Sequence, residues 1–309
     1  MNRAVYFVSV LCCLGLAAAL SAPMAHAQQS AKGKLVKAKS TRAAAVPDFT
    51  KDGEPNLQST AALVYDQNTG KLLYAKNPDT VTPIASITKV MTAMIVLDAK
   101  LPLDEAITIT NEDIDLLKGT KSRLPIGSAF RREDLMRLAL MASDNRAASA
   151  LGRNYPGGIE AFVEAMNTKA KLLNLTNTRF VDSSGLAPGN VSSPQDLATL
   201  VSEAARYAQI REFSTTPELH VTLPNAKKPM GFNNTNALVK NHDWNIGLSK
   251  TGYISESGKC LVMQATIANN PVVIVLLDSW GRLTRIGDAN RIKKWLETQK
   301  VAATPRATS

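Results

Sequence analysis

The chain has 309 residues, 45% of them hydrophobic, and 36 Lys and Arg against 26 Asp and Glu give it a formal net charge of +10. A core of ordinary size is therefore available, and the charge favours an acidic partner. Two of the three cysteines fall within an N-terminal apolar run, leaving only Cys260 beyond it; an internal disulfide framework is excluded.

Arg3 precedes an apolar run from Ala4 to about Leu20, which Ala25-His26-Ala27 follows. This is the pattern of a secretory signal with a small-residue cleavage site, and the run is shorter than the roughly 20 residues of a membrane-spanning helix. Residues 1–27 are expected to be removed. Residues 28–57 carry Lys32, Lys34, Lys37, Lys39 and Arg42 among small residues with little apolar periodicity, so they read as a flexible basic arm. Nothing from Ser59 to Lys300 reads as a linker, which predicts one catalytic unit over 58–300 and a disordered tail over 301–309.

Ala61–Tyr65 and Lys71–Lys76 read as strands joined by the turn-rich Asp66–Gly70, an antiparallel hairpin. From Ser86 to Ala99 nearly every position is apolar, which suits a helix buried all round. Arg132–Leu151, Gly158–Leu173 and Pro194–Ala208 have helical periodicity, the last opening on Ser193 and Pro194. Trp244–Tyr253, Lys259–Ala268 and Val272–Leu277 read as strands, and Asp288–Thr298 as a closing amphipathic helix. The expected fold is α+β: an antiparallel five-stranded sheet built from both chain ends and flanked by helices, with a helical subdomain beside it.

Three short motifs occur in order: Ser86-Ile-Thr-Lys89, Ser143-Asp-Asn145 and Lys250-Thr-Gly252. Each is weak alone; together they form the set found in penicillin-binding proteins and serine β-lactamases. Residues i and i+3 share a helix face, so Lys89 can reach the Ser86 hydroxyl, and burial in so apolar a helix favours a neutral amine able to act as base. Ser143 and Asn145 follow the apolar run Leu135–Ala142, which brings a hydroxyl and an amide to a cleft wall where they can pass a proton to the leaving amine and hold the substrate amide. Lys250 and Thr251 offer a cation and a hydroxyl to a substrate carboxylate, and Gly252 lets another backbone come close. The backbone N–H groups of Ser86 and Tyr253 are the expected oxyanion hole.

A Ser-His-Asp hydrolase lacks support, because only His220 and His242 lie beyond the signal and no G-x-S-x-G occurs. No zinc spacing and no glycine-rich phosphate loop appears either, so neither metal nor cofactor is expected.

On these residues the chain resembles the low-molecular-mass DD-peptidases among the penicillin-binding proteins, specifically the D-alanyl-D-alanine endopeptidases of the penicillin-binding protein 7 type. The resemblance runs from about Ala61 to Lys300. Its most specific stretches are Pro83–Thr92, Asn145–Ala148 with Tyr155–Gly158, and Lys250–Ile254 with Gly258–Val262. Thr178–Val181 with Ser184–Leu186, and Asn234–Asn236 with Asp243–Asn245, are similar too. The resemblance implies a β-lactamase/DD-peptidase-like fold and a periplasmic enzyme that cuts D-Ala to meso-diaminopimelate cross-links through an acyl-enzyme on Ser86. It makes Lys89 the acylation base, Ser143 and Asn145 the cleft partners, and Lys250 the carboxylate anchor. Peptidoglycan peptides are the implied substrate and β-lactams the covalent inhibitors, with no nucleic acid and no stable membrane anchor. Asp182-Ser183 departs from the acidic-proline pair that is common there, which leaves the shape of that loop open.

A carboxypeptidase removing terminal D-Ala is the first alternative. A β-lactamase is less favoured, since no glutamate in 157–167 reads as a deacylation base, and a non-catalytic wall-binding or sensing module would not need every motif intact.

Overall fold

The computed structural model describes residues 46–222 and 228–303, with side chains described to residue 299. The expected signal and most of the basic arm lie outside the described residues. Apolar runs near the two ends of the chain pair with each other. The hairpin β1 (Ala61–Asp66) and β2 (Leu72–Lys76) comes first. After β3 (Thr82–Pro83), a 3-10 turn at Ala85–Ile87 leads into α1 (Thr88–Asp98). Then come β4 (Ala106–Thr108), β5 (Ala129–Arg131), α2 (Arg132–Met141), α3 (Asn145–Arg153) and α4 (Gly158–Leu172). These are followed by β6 (Val191–Ser192), α5 (Pro194–Ala204), α6 (Ala208–Ser214) and the strands β7 (Glu218–Val221) and β8 (Met230–Asn233). The chain returns through β9 (Asn245–Ile254), β10 (Gly258–Ile267) and β11 (Asn270–Ser279), and ends on α7 (Thr284–Ala303).

The main sheet has five strands in the order β2-β1-β11-β10-β9, every neighbour antiparallel, as expected. Side chains alternate across it: Ala61, Leu63, Val262, Val273, Val275 and Leu277 join the core beneath the helical block. Ala62, Val64, Leu261, Met263, Ile274 and Leu276 join a second core with Ala289 and Ile292 of α7. A sheet covered on both faces explains why these strands read as continuous apolar runs instead of alternating ones. Strand β9 is the sheet's edge, and its free side faces the 3-10 turn and the helical block.

Helix α1 is the buried helix expected: Thr88–Val96 are all buried, Lys89 among them. Two other helices differ from expectation. The single helix expected over Arg132–Leu151 is two, because Ser143 takes φ +59° and Asp144 caps a new helix by accepting the Ala147 amide at 2.9 Å. That break creates the Ser143-Asp-Asn145 corner. The helix expected to run from Pro194 to Ala208 stops at Ala204, and α6 restarts after a tight turn. At the N-terminal side, residues 46–57 of the expected arm rest on α7: Leu57 is buried in the second core, and the Asp48 carboxylate pairs with Lys294 Nζ at 2.6 Å. At the other end α7 continues to Ala303, into the expected tail. Among the described residues no helix is long and apolar enough to cross a membrane.

Candidate active site

The structure gathers the three motifs at one cleft between β9 and the helical block. Ser86 sits in the 3-10 turn, half-buried, one residue after Ala85, whose φ of +47° turns the chain into α1. A non-glycine residue in that region stores about 1–3 kcal/mol of strain, which the surroundings must offset. Ala85 O accepts the Thr88 hydroxyl at 2.8 Å. Gly185 (φ +81°) packs so closely that a Cβ there would stand 1.9 Å from Ala85 O. Gly252 brings β9 close from the other side: a Cβ there would meet Ile84 O at 2.8 Å and Ser86 N at 3.2 Å. The expected close approach at Gly252 is therefore observed, and it is an approach to the Ser86 turn.

Lys89 Nζ lies 2.8 Å from Ser86 Oγ, 2.6 Å from Asn145 Oδ1 and 2.5 Å from Ser184 O. The two carbonyl oxygens can only accept, so they use both N–H bonds of a neutral amine. Its lone pair is then left facing the Ser86 hydroxyl, the arrangement a general base needs. Burial pushes the Lys89 pKa down to about 7, opposed by the Asp182, Asp144 and Asp115 carboxylates. An amine with that pKa is neutral in about half the molecules at neutral pH, with no partner required to deprotonate it.

Across the cleft, Lys250 Nζ donates to Ser143 Oγ and to Thr251 O, both at 2.8 Å. Burial holds its pKa well below the ordinary lysine range, and the nearby Lys89 and Arg285 cations push the same way. An anion bound beside Lys250 would act in the opposite direction and favour its charged form. The Thr251 hydroxyl bonds the Thr235 hydroxyl at 2.7 Å. Asn145 Nδ2 donates to Thr120 Oγ1 at 2.9 Å, which fixes the amide so that its oxygen faces Lys89. Tyr253 follows directly in β9, with its ring exposed and Lys259 Nζ 4.0 Å from the ring centroid.

Four parts of the site went unread as single residues. Ser184 supplies its carbonyl to Lys89, on a loop that one carboxylate organises: Asp182 accepts the amides of Ser184 (2.6 Å), Gly185 (2.5 Å) and Ala187 (2.8 Å) and the Ser184 hydroxyl (3.0 Å). The shape left open at Asp182-Ser183 is thus set without a proline, and Ser183 Oγ bonds Ala148 O at 2.9 Å. Thr235 and Thr120 are the second and third. The fourth is an ion pair between Lys118 and Glu256, which joins the 114–122 loop to the β9–β10 turn at one end of the cleft. Lys118 and Ser255 hold the Glu256 carboxyl down to about 2. Ser184 and Thr235 lie in stretches that carried the family resemblance; Thr120 and Lys118 had no such signal. Among the described residues no group of three or more His, Cys, Asp or Glu is placed to hold a metal ion.

Residues 48–280 match the family model of the D-alanyl-D-alanine carboxypeptidases. The chain belongs to this family. Among relatives in the family, a D-alanyl-D-alanine endopeptidase of Pseudomonas aeruginosa is 50% identical over 254 residues, 82% of each chain. An Escherichia coli D-alanyl-D-alanine endopeptidase is 46% identical over 258 residues, covering 84% of this chain and 83% of that one. The solved Streptomyces K15 DD-transpeptidase superposes with a TM-score of 0.73 at 28% identity, over 78% of this chain and 98% of the other. The five-stranded sheet with its helical block is thus the fold of the DD-peptidase family.

Proposed function

We propose that the protein is a periplasmic serine DD-endopeptidase that cuts D-Ala to diaminopimelate cross-links of peptidoglycan and is acylated by β-lactams. The observation that carries this reading is Lys89 Nζ, buried, within 2.8 Å of Ser86 Oγ and held there by two carbonyl acceptors. Two endopeptidase relatives near half identity favour cross-links over terminal D-Ala as substrate. The neutral Lys89 amine takes the Ser86 proton as Oγ attacks the D-Ala carbonyl carbon. The oxyanion is met by the Ser86 and Tyr253 amides. Collapse breaks the C–N bond, and the leaving amine receives its proton through Ser143 Oγ, which Lys250 holds in place. Thr251 and Lys250 anchor the carboxylate of the leaving residue. Water then hydrolyses the Ser86 ester.

Among the described residues no carboxylate is hydrogen-bonded to Ser86, and Asp182 is committed to loop amides. A penicilloyl adduct on Ser86 therefore hydrolyses slowly, against the β-lactamase alternative. The test is to incubate the mature protein with cross-linked tetrapeptide dimers and pentapeptide monomers at equal concentration, and in parallel with labelled penicillin. Dimer cleavage outpacing D-Ala release, and a long-lived label mapped to Ser86 and absent from Ser86→Ala, are expected. Faster D-Ala release would replace the reading with a carboxypeptidase, and a label elsewhere would end the assignment of Ser86.

A further inference from the structure

A cavity of about 280 Å³ opens beside Ser143, walled by Lys121, Arg123, Phe232, Asn233 and Thr235. It shares Ser143 and Asn145 with the reaction site but extends away from Ser86. Its position along β9 is informative. The scissile carbonyl is assigned to the Tyr253 amide and the carboxylate anchor to Lys250 and Thr251, so the leaving half of the substrate runs from Tyr253 back past Thr251. The next residue in that direction is Thr235, whose hydroxyl bonds that of Thr251 at 2.7 Å, and Thr235 is already a wall of the cavity.

The lining has a charge suited to acids. Arg123 is held in place, its guanidinium donating to Gly231 O and lying 4.9 Å from the Phe232 ring centroid. A guanidinium has five N–H donors, so most remain for another acceptor. Lys121 is exposed and has no partner among the described residues. The one acid of the lining, Asp144, is engaged by Ser122 Oγ at 2.8 Å and the Ala147 amide at 2.9 Å. Phe232 supplies an apolar wall.

We infer that this cavity is the subsite for the leaving strand, taking a carboxylate of the second peptide stem on Lys121 and Arg123. This rests on the endopeptidase reading. A leaving D-Ala ends in its own carboxylate at Thr251 and never enters the cavity. A leaving diamino diacid places one carboxylate at Thr251 and continues on its methylene chain to a stem with further free carboxylates. Filling the cavity therefore favours cross-linked substrate over terminal D-Ala, and it does so by charge.

The experiment compares wild type with Lys121→Gln, Arg123→Gln and the double variant, measuring kcat/KM on dimers, on pentapeptide monomers and on dimers whose free carboxylates are amidated. Penicillin labelling to full stoichiometry and an unchanged melting temperature identify folded protein; Lys121→Gln, which breaks no contact, keeps the test intact if Arg123→Gln misfolds. The dimer-to-monomer ratio should fall about tenfold with each lost charge-assisted bond. Lys121→Arg should restore it, and amidated dimers should be cut slowly by wild type with no further loss in the variants. An unchanged ratio in folded double variant, or equal loss on free and amidated dimers, overturns the subsite while leaving the endopeptidase reading in place. A wild type that splits no dimers overturns both.

Discussion

Gly252→Ala tests whether the closeness of β9 to the Ser86 turn matters for chemistry or only for packing. The added methyl would stand 2.8 Å from Ile84 O, 3.2 Å from Ala85 Cβ and 3.2 Å from Ser86 N, whereas ordinary contact begins at 3.4 Å. None of these atoms belongs to a flexible side chain, so β9 and the turn must part by about 0.6 Å at the closest pair. Overpacking of this kind costs about 1–3 kcal/mol, and a domain of this size loses roughly 2–4 °C of melting temperature per kcal/mol. The kinetic effect should be larger. The parting lies between the two amides assigned to the oxyanion, and misplacement on the 1 Å scale costs on the order of 100-fold in rate. Second-order acylation by a fluorescent penicillin, followed by stopped flow beside a thermal melt, separates the two effects. A destabilised Gly252→Ala that still acylates at the wild-type rate would refute the link between this contact and the oxyanion hole.

With Lys89 assigned as the base, its reactive form is the neutral one, and burial lowers its pKa to about 7, so the acylation rate should rise tenfold per pH unit below about 7 and level off above it; a flat profile from about pH 5 to 9 counts against that assignment. Asp182→Asn keeps an acceptor for the loop but removes the negative charge that raises the Lys89 pKa, so the acid limb of that profile should move to lower pH; movement to higher pH contradicts the electrostatics. Lys250→Ala removes the donor to Ser143 and the assigned carboxylate anchor, and kcat/KM for peptide should drop roughly ten- to hundredfold; an unchanged value in folded protein removes it from the site. Cys260 is buried, with burial raising its thiol to about 11, so alkylation by iodoacetamide should proceed only as fast as the protein unfolds; rapid labelling of native protein contradicts that burial.

The centre of the main sheet was legible because β1, β10 and β11 are apolar on both faces, and α1 because its apolar positions surround it. The breaks at Ser143 and after Ala204 were not. Leu135–Ala142 and the residues after Asn145 share one helical period, and what separates them is a single positive φ that serine does not advertise. The ladders β3–β6, β4–β5 and β7–β8 are two to four residues per strand, too short for a period-2 pattern to show. At the candidate site, Ser86, Lys89, Ser143, Asn145, Lys250 and Thr251 stand out in the sequence because the chemistry proposed for them restricts residue type, and the structure brings them to one cleft. What Ser184 offers Lys89 is a backbone carbonyl, which any residue has, so the family resemblance marks its stretch but not its role; Thr120 acts by holding Asn145 and leaves no mark in the sequence.

The β1–β11 pairing aligns Ala61 with Leu277, residues more than 200 positions apart, and β9 joins that sheet only through β10. Half of the cleft therefore depends on strands near the C-terminal end, while Ser86 and Lys89 are among the earlier residues to emerge in synthesis. High sequence separation of this kind makes folding slow. It follows that the ability to capture penicillin should appear late in refolding, after the helical block has gained its secondary structure, so that the covalent label can serve as a clock for completion of the sheet.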